Sequence, residues 1–116
     1  MRVSFTQEEF EIDINGKLQA LSHDGINTTS MVNTYVEKTG SCTKSLYACP
    51  NLRVSHATLP ANHGTPTSMR APGAAPGLFA LESAMDEMAE AIDMDPLEFR
   101  RANYTETDES LDLPFS

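Results

Sequence analysis

Of the chain's 6 glycines and 7 prolines, seven fall within residues 60–77: Pro60, Gly64, Pro66, Pro72, Gly73, Pro76 and Gly77. Proline has no amide to donate and glycine has no side chain to pack, so neither a ladder nor a helix runs easily through such a stretch. The density predicts an irregular loop over residues 60–77. That is longer than a plain connection in a compact domain, and loops of this length are usually functional or disordered. The loop also divides two patterns: alternation with period two before it, and recurrence every three to four residues after it.

Before the loop, Phe10, Ile12 and Ile14 alternate with Glu9, Glu11 and Asp13, the signature of a half-buried strand. Asn15-Gly16 follows, a strong two-residue hairpin signal because both residues tolerate positive φ. "KLQALSHDGI" reads as the return strand, with Leu18 and Ala20 inward. Residues 27–50 are polar and weakly patterned and are expected to be irregular. In "NLRVSHATL", residues 51–59, Leu52, Val54, His56 and Thr58 alternate with Arg53, Ser55, Ala57 and Leu59, which predicts a third strand bracketed by Pro50 and Pro60.

After the loop, Leu78, Leu81, Met85, Met88 and Ile92 form an apolar stripe at helical spacing, so a helix is predicted over residues 78–92. A second helix starts behind Asp95, an N-cap residue, with Pro96 at the first helical position and Glu98 placed for a capping box. It is expected to stop near Asn103. One domain results, of α+β class: residues 1–59 mainly strands, 60–77 a loop, 78–104 two helices and 105–116 an acidic tail.

Charge narrows the partners. Residues 78–116 hold eleven acidic side chains against Arg100 and Arg101, while residues 1–77 are balanced at six of each sign. Such an acidic half argues against nucleic acid and against an anionic membrane surface. No stretch approaches the length of a membrane span. Cys42 and Cys49 have neither metal-site nor iron–sulfur spacing and read as free thiols. His23, His56 and His63 form no ligand pair, although His63, seven residues before Arg70, is close enough in the loop to share its surroundings. Glu82 reads as a solvated residue or as a partner for Arg70 or Arg101. Sequons at Asn27 and Asn103 carry little weight, since the N-terminus holds no export signal. The expected compartment is the cytoplasm, with the periplasm as the alternative for a chain exported with a partner subunit.

The loop's chemistry is concentrated in "SMRAPGAAPG", residues 68–77. One arginine stands among alanines, prolines and glycines, immediately before a helix. Helix starts expose amides and partial positive charge. Small side chains allow close approach, and Arg70 adds five donors and a fixed charge. The stretch reads as a rigid surface suited to an oxygen-rich ligand, although no phosphate-loop motif is present.

Residues 64–104 resemble the molybdenum-cofactor subunit of the xanthine dehydrogenase/aldehyde oxidase family. The Met-Arg-Ala-Pro-Gly turn at 69–73, "ALESAMDE" and "DPLEFRRANY" occur in that family's order and spacing, and the hairpin and "LYACPNLRVSH" look like its upstream segment. Purine-oxidising members tend to carry Phe-Arg-Gly-Phe-Gly at this turn, whereas Met-Arg-Ala-Pro-Gly is the form of the bacterial aldehyde-oxidoreductase branch. Absence of the second aromatic removes a ring that stacks on flat heterocycles. The resemblance therefore implies oxidation of an aldehyde to a carboxylic acid with water as oxygen source. A purine-type heterocycle is the alternative substrate, and a stand-alone anion-binding or interaction module is the alternative of another class.

The same resemblance implies that Arg70, Ala71, Pro72 and Gly73 line a molybdopterin site, the loop's backbone donating to oxygens of the metal centre or its pterin. Gly77 and the helix start would support the turn. It implies no protein ligand to the metal, and it allows the cytosine dinucleotide form of the pterin. Iron–sulfur clusters and FAD belong on partner subunits or domains. The family's general-base glutamate lies far downstream and matches no glutamate here. The chain is thus expected to be an internal fragment of a large subunit, with no catalytic residue of its own and no turnover in isolation.

Overall fold

The computed structural model describes residues 4–108 and 113–114. Three strands form one mixed sheet in the order β1 (Ser4–Ile12), β2 (Leu18–Ser30), β3 (Asn51–Ala61). β1 and β2 are antiparallel, and β3 runs parallel to β2. A parallel neighbour needs a long crossover, and residues 31–50, with the short α1 (Thr43–Leu46), supply it. Two helices follow, α2 (Ala74–Ala91) and α3 (Pro96–Asn103), with α2 packed on β1 and α3. The fold is α+β, as the patterns predict. No helix among the described residues is long and apolar enough to cross a membrane.

The hairpin forms with a different turn. Asp13 organises it: its Oδ1 accepts the amides of Asn15 at 2.8 Å and Lys17 at 3.0 Å. Only Gly16 takes positive φ, at 79°. β1 therefore ends at Ile12, and Ile14, expected on the buried face, is fully exposed. Beyond the turn the register slips: Ile12 faces Leu18 while Glu11 faces Ala20, so Gln19 is an extra residue in β2. This bulge reverses the alternation. Leu18 and Leu21 point inward together, and Ala20, expected inward, does not join them.

The core gathers Leu18, Leu21, Tyr47, Leu81, Met85, Ala89 and Phe99. Leu81 and Met85 come from the predicted stripe, whereas Ile92, at its end, lies at the surface. α3 begins as expected, with Asp95 Oδ1 accepting the amides of Leu97 and Glu98 at 3.0 and 3.1 Å. The Glu98 carboxylate, expected to complete a capping box, is held by Arg101 Nη1 at 2.9 Å. At the other end, Asn103 is buried and ties α3 to the hairpin: Oδ1 accepts Leu18 N at 2.7 Å, and Nδ2 donates to Gly16 O at 2.8 Å. Asn27 is equally buried, so both sequon asparagines are internal structural groups. Cys42 and Cys49 are not joined to each other by a disulfide.

The loop is shorter than residues 60–77. β3 continues through Pro60 to Ala61, tolerable because β3 is an edge strand. α2 begins at Ala74, four residues earlier than predicted, and takes Pro76 and Gly77 into its first turn. A proline there breaks no intrahelical bond, because first-turn amides have no partner in the helix. Of the acidic tail, Thr107–Asp108 (β4) and Leu113–Pro114 (β5) pair antiparallel, and the expectation for residues 109–112 and 115–116 lies outside the described residues.

Candidate functional site

The turn at residues 69–73 is positioned from β2. From His23 onward the inward face of β2 is polar: His23, Asn27, Thr29 and Ser30 are all buried. Buried polar groups require partners, and these find them in the crossover. Thr29 Oγ1 donates to Asn33 O at 2.7 Å and accepts Tyr35 N at 2.9 Å. Asn27 Nδ2 donates to Tyr35 O at 2.7 Å, and its Oδ1 accepts Glu37 N at 2.8 Å. His23 Nδ1 lies 2.8 Å from Thr43 Oγ1 and 2.6 Å from Glu8 Oε1. The crossover is thereby stitched to the sheet by side chains where no ladder exists.

Residues 37–40 then meet the start of α2. The buried Glu37 accepts Gly73 N through Oε1 at 2.9 Å. Gly73 has φ of 74°, and a Cβ there would meet the Lys38 carbonyl well inside 3.0 Å. A Cβ on Gly77 would collide in the same way with the Thr39 carbonyl. These two glycines thus admit the chain's own backbone rather than a ligand. Neighbouring Ala71 also sits at positive φ, 54°, an unfavourable region for a residue with a Cβ. Strain of this kind is found at ligand clamps, where surrounding structure enforces it.

The amides at the helix start are engaged internally. Ala74 N and Ala75 N donate to Ala71 O at 3.1 and 3.2 Å, and Gly77 N donates to Gly73 O at 3.0 Å. Pro76 has none, and Gly73 N belongs to Glu37. Of the loop amides expected to face a ligand, that of Gly73 is turned inward to Glu37. What faces outward is Arg70, Ala71 and Pro72, all exposed. Among the described residues the Arg70 guanidinium makes no ion pair or hydrogen bond. A free guanidinium over two small side chains, on a turn locked from behind, suits a bulky group rich in oxygen acceptors.

Other candidates fall into structural roles. Glu82 is partnered neither by Arg70 nor by Arg101: Oε2 takes Arg100 Nε at 2.5 Å and Oε1 accepts the Tyr47 hydroxyl at 2.6 Å. Arg100 also reaches Asp86 Oδ1 at 2.7 Å and bolts α3 to α2. Burial opposes the Arg100 charge, but the hydrogen bonds it donates to Asp86 and Glu82 outweigh it, so the guanidinium is held protonated more firmly than usual. Burial first, then the Glu82 contact, pushes the Tyr47 phenol above its ordinary value and keeps it a neutral donor. His63 stays on its own loop, Nδ1 at 2.6 Å from Gly64 O. His56 Nε2 accepts Gly40 N at 3.0 Å, and burial followed by the charges of His23, Lys44 and Lys38 lowers its pKa. No group of three metal-ligating side chains occurs among the described residues.

The sequence missed Glu37. Its only signal was an isolated acid in a polar stretch, with nothing to show that the stretch doubles back under the Pro/Gly turn.

The model of the molybdopterin cofactor-binding domain matches residues 4–104. The chain belongs to the molybdopterin cofactor-binding domain family. It is similar to the aldehyde oxidoreductase molybdenum-binding subunit PaoC of Escherichia coli (strain K12). That protein is 41% identical over 100 residues, or 83% of this chain and 13% of its own length. The aldehyde oxidoreductase of Megalodesulfovibrio gigas is 42% identical over 57 residues, or 49% of this chain and 6% of that protein. Among solved structures, the aldehyde oxidoreductase from Desulfovibrio desulfuricans ATCC 27774 has a TM-score of 0.75 at 27% identity, covering 88% of this chain and 12% of that one. Quinoline 2-oxidoreductase from Pseudomonas putida 86 reaches 0.76 at 22% identity over 97% of this chain and 15% of that one, a likeness of fold alone. This molybdopterin-binding segment thus spans a small part of the proteins it matches, 13% of PaoC.

Proposed function

We propose that this chain forms one wall of the molybdopterin site in a molybdenum-binding subunit that oxidises aldehydes to carboxylic acids, with water as oxygen source. The observation that carries the reading is the exposed Arg70 guanidinium, without a partner among the described residues, on a turn fixed by Glu37, Gly73 and Gly77. Arg70 would hold oxygen acceptors of the cofactor. Ala71 and Pro72 would let the cofactor lie close, since neither projects a long side chain. Gly73 and Gly77 act from behind by letting α2 seat against residues 38–39. When bound, the molybdenum centre supplies the redox and Lewis-acid chemistry, and this chain supplies orientation and charge.

Because the turn lies on the surface of this chain, the opposite wall and the general base come from other sequence in the same subunit. We extend the reading to iron–sulfur and FAD partners that carry electrons away, and to the cytosine dinucleotide form of the pterin. The aldehyde substrate is supported by the names of the relatives and by small Ala71 and Pro72 side chains where a stacking ring would favour a heterocycle.

The test is Arg70→Ala in the molybdenum-binding subunit that carries this segment. Loss of charge-assisted hydrogen bonds predicts cofactor retention and aldehyde turnover lowered about ten- to a hundredfold. The melting temperature should hardly move, because an exposed side chain without partners is removed. Full molybdenum content with unchanged turnover would sink the proposal.

A further inference from the structure

Glu37 is a buried acid to which the cofactor reading gives no contact with the ligand. Only 2% of its surface is exposed, although an isolated acid in a crossover is ordinarily solvated. It stands in a relay. Asn27 on β2 accepts the Glu37 amide at 2.8 Å, and Glu37 Oε1 accepts the Gly73 amide at 2.9 Å. Gly73 is the N-cap of α2 and the last residue of the exposed turn. Its amide points inward, where Glu37 meets it.

We propose that Glu37 is a positioning residue for the cofactor turn, fixing Arg70 relative to the sheet through the Gly73 amide. The inference rests on the cofactor reading of residues 70–73. The two close glycine contacts set how near α2 approaches residues 38–39, but contacts of that kind resist approach and do not resist withdrawal. The Glu37–Gly73 hydrogen bond is directional and opposes withdrawal. It also sits three residues from the guanidinium, so a small release at Gly73 shifts Arg70 and its acceptors out of register. Orientation of donors is what such sites lose first, since a displacement of about 1 Å is enough to cost binding and rate.

The experiment compares Glu37→Gln, which keeps an acceptor oxygen at the same reach, with Glu37→Asp, which is one methylene too short, and Glu37→Ala. Amide hydrogen exchange at Gly73 is followed in this chain, with Leu81 and Met85 amides as reporters of the core. Molybdenum content is measured in the molybdenum-binding subunit carrying the same substitutions. Glu37→Asp and Glu37→Ala are expected to speed Gly73 exchange about tenfold and to lower molybdenum content, with the core amides unchanged, while Glu37→Gln restores both. Comparing Gln with Asp keeps the test decisive if Ala unfolds the chain. Unchanged Gly73 exchange in Glu37→Asp overturns the inference and leaves the cofactor reading standing. Faster Gly73 exchange with full molybdenum content also overturns it. Arg70→Ala then separates the two ideas: if that variant too retains its molybdenum, the cofactor reading of the turn falls as well.

Discussion

Gly77→Ala isolates the contact that seats α2 against residues 38–39. In an ordinary helix this change is favourable by about 1 kcal/mol, because alanine loses less backbone freedom on folding. Here the new Cβ would lie against the Thr39 carbonyl well inside 3.0 Å, whereas ordinary contact begins at 3.4 Å. The carbonyl belongs to backbone, and both Gly77 and Thr39 are buried, so no flexible group can swing aside. The helix start has to retreat. Overpacking of this kind costs about 1–3 kcal/mol, and the stretched Glu37–Gly73 bond adds about 1 kcal/mol. Set against the helix-propensity gain, the net is a destabilisation of about 1–3 kcal/mol. Urea unfolding of wild type, Gly77→Ala and Gly64→Ala measures it. Gly64 is the control, because a Cβ there meets nothing within 4 Å, and its replacement should be neutral or slightly stabilising. If Gly77→Ala raises the urea midpoint as an ordinary helical substitution does, the close approach of α2 to Thr39 is wrong, and the account of how the turn is held goes with it.

Two further outcomes follow from the scaffold. Asn103→Ala leaves the Leu18 amide and the Gly16 carbonyl without their buried partner, so a loss of about 2–4 kcal/mol is expected in the same assay. A loss below about 0.5 kcal/mol would mean that the tie between α3 and the hairpin is dispensable. His56 sets an acid-side dependence. Its folded pKa is lowered from the ordinary 6.5, so its contribution to stability is complete above pH 6.5 and is lost as the pH falls through that value toward the folded pKa. Protonation also places a proton on Nε2, where Gly40 N now donates. Urea midpoints measured from pH 8 to pH 5 should decline, and His56→Gln should flatten the decline. An equal slope in the variant would assign the effect elsewhere.

Periodicity and punctuation in the sequence determined the parts. Charge alternation marked β1, the Leu81–Met85 stripe marked α2, and Asp95-Pro96 fixed the start of α3, because each signal acts through a few neighbouring residues. The same local logic picked out Arg70 to Gly73 as an unusual turn. What the chain alone could not show were the consequences of distant segments meeting. Gln19 bulges because two strands must match a turn built by Asp13, and that reverses which side chains face the core. Pro76 and Gly77 enter α2 because Glu37 and residues 38–39, more than thirty positions earlier, cap and seat it. A glycine reads the same in sequence whether it makes room for a ligand or for the chain's own carbonyl. Only the tertiary structure distinguishes them, because the steric partner is supplied by a segment whose return path no local pattern encodes.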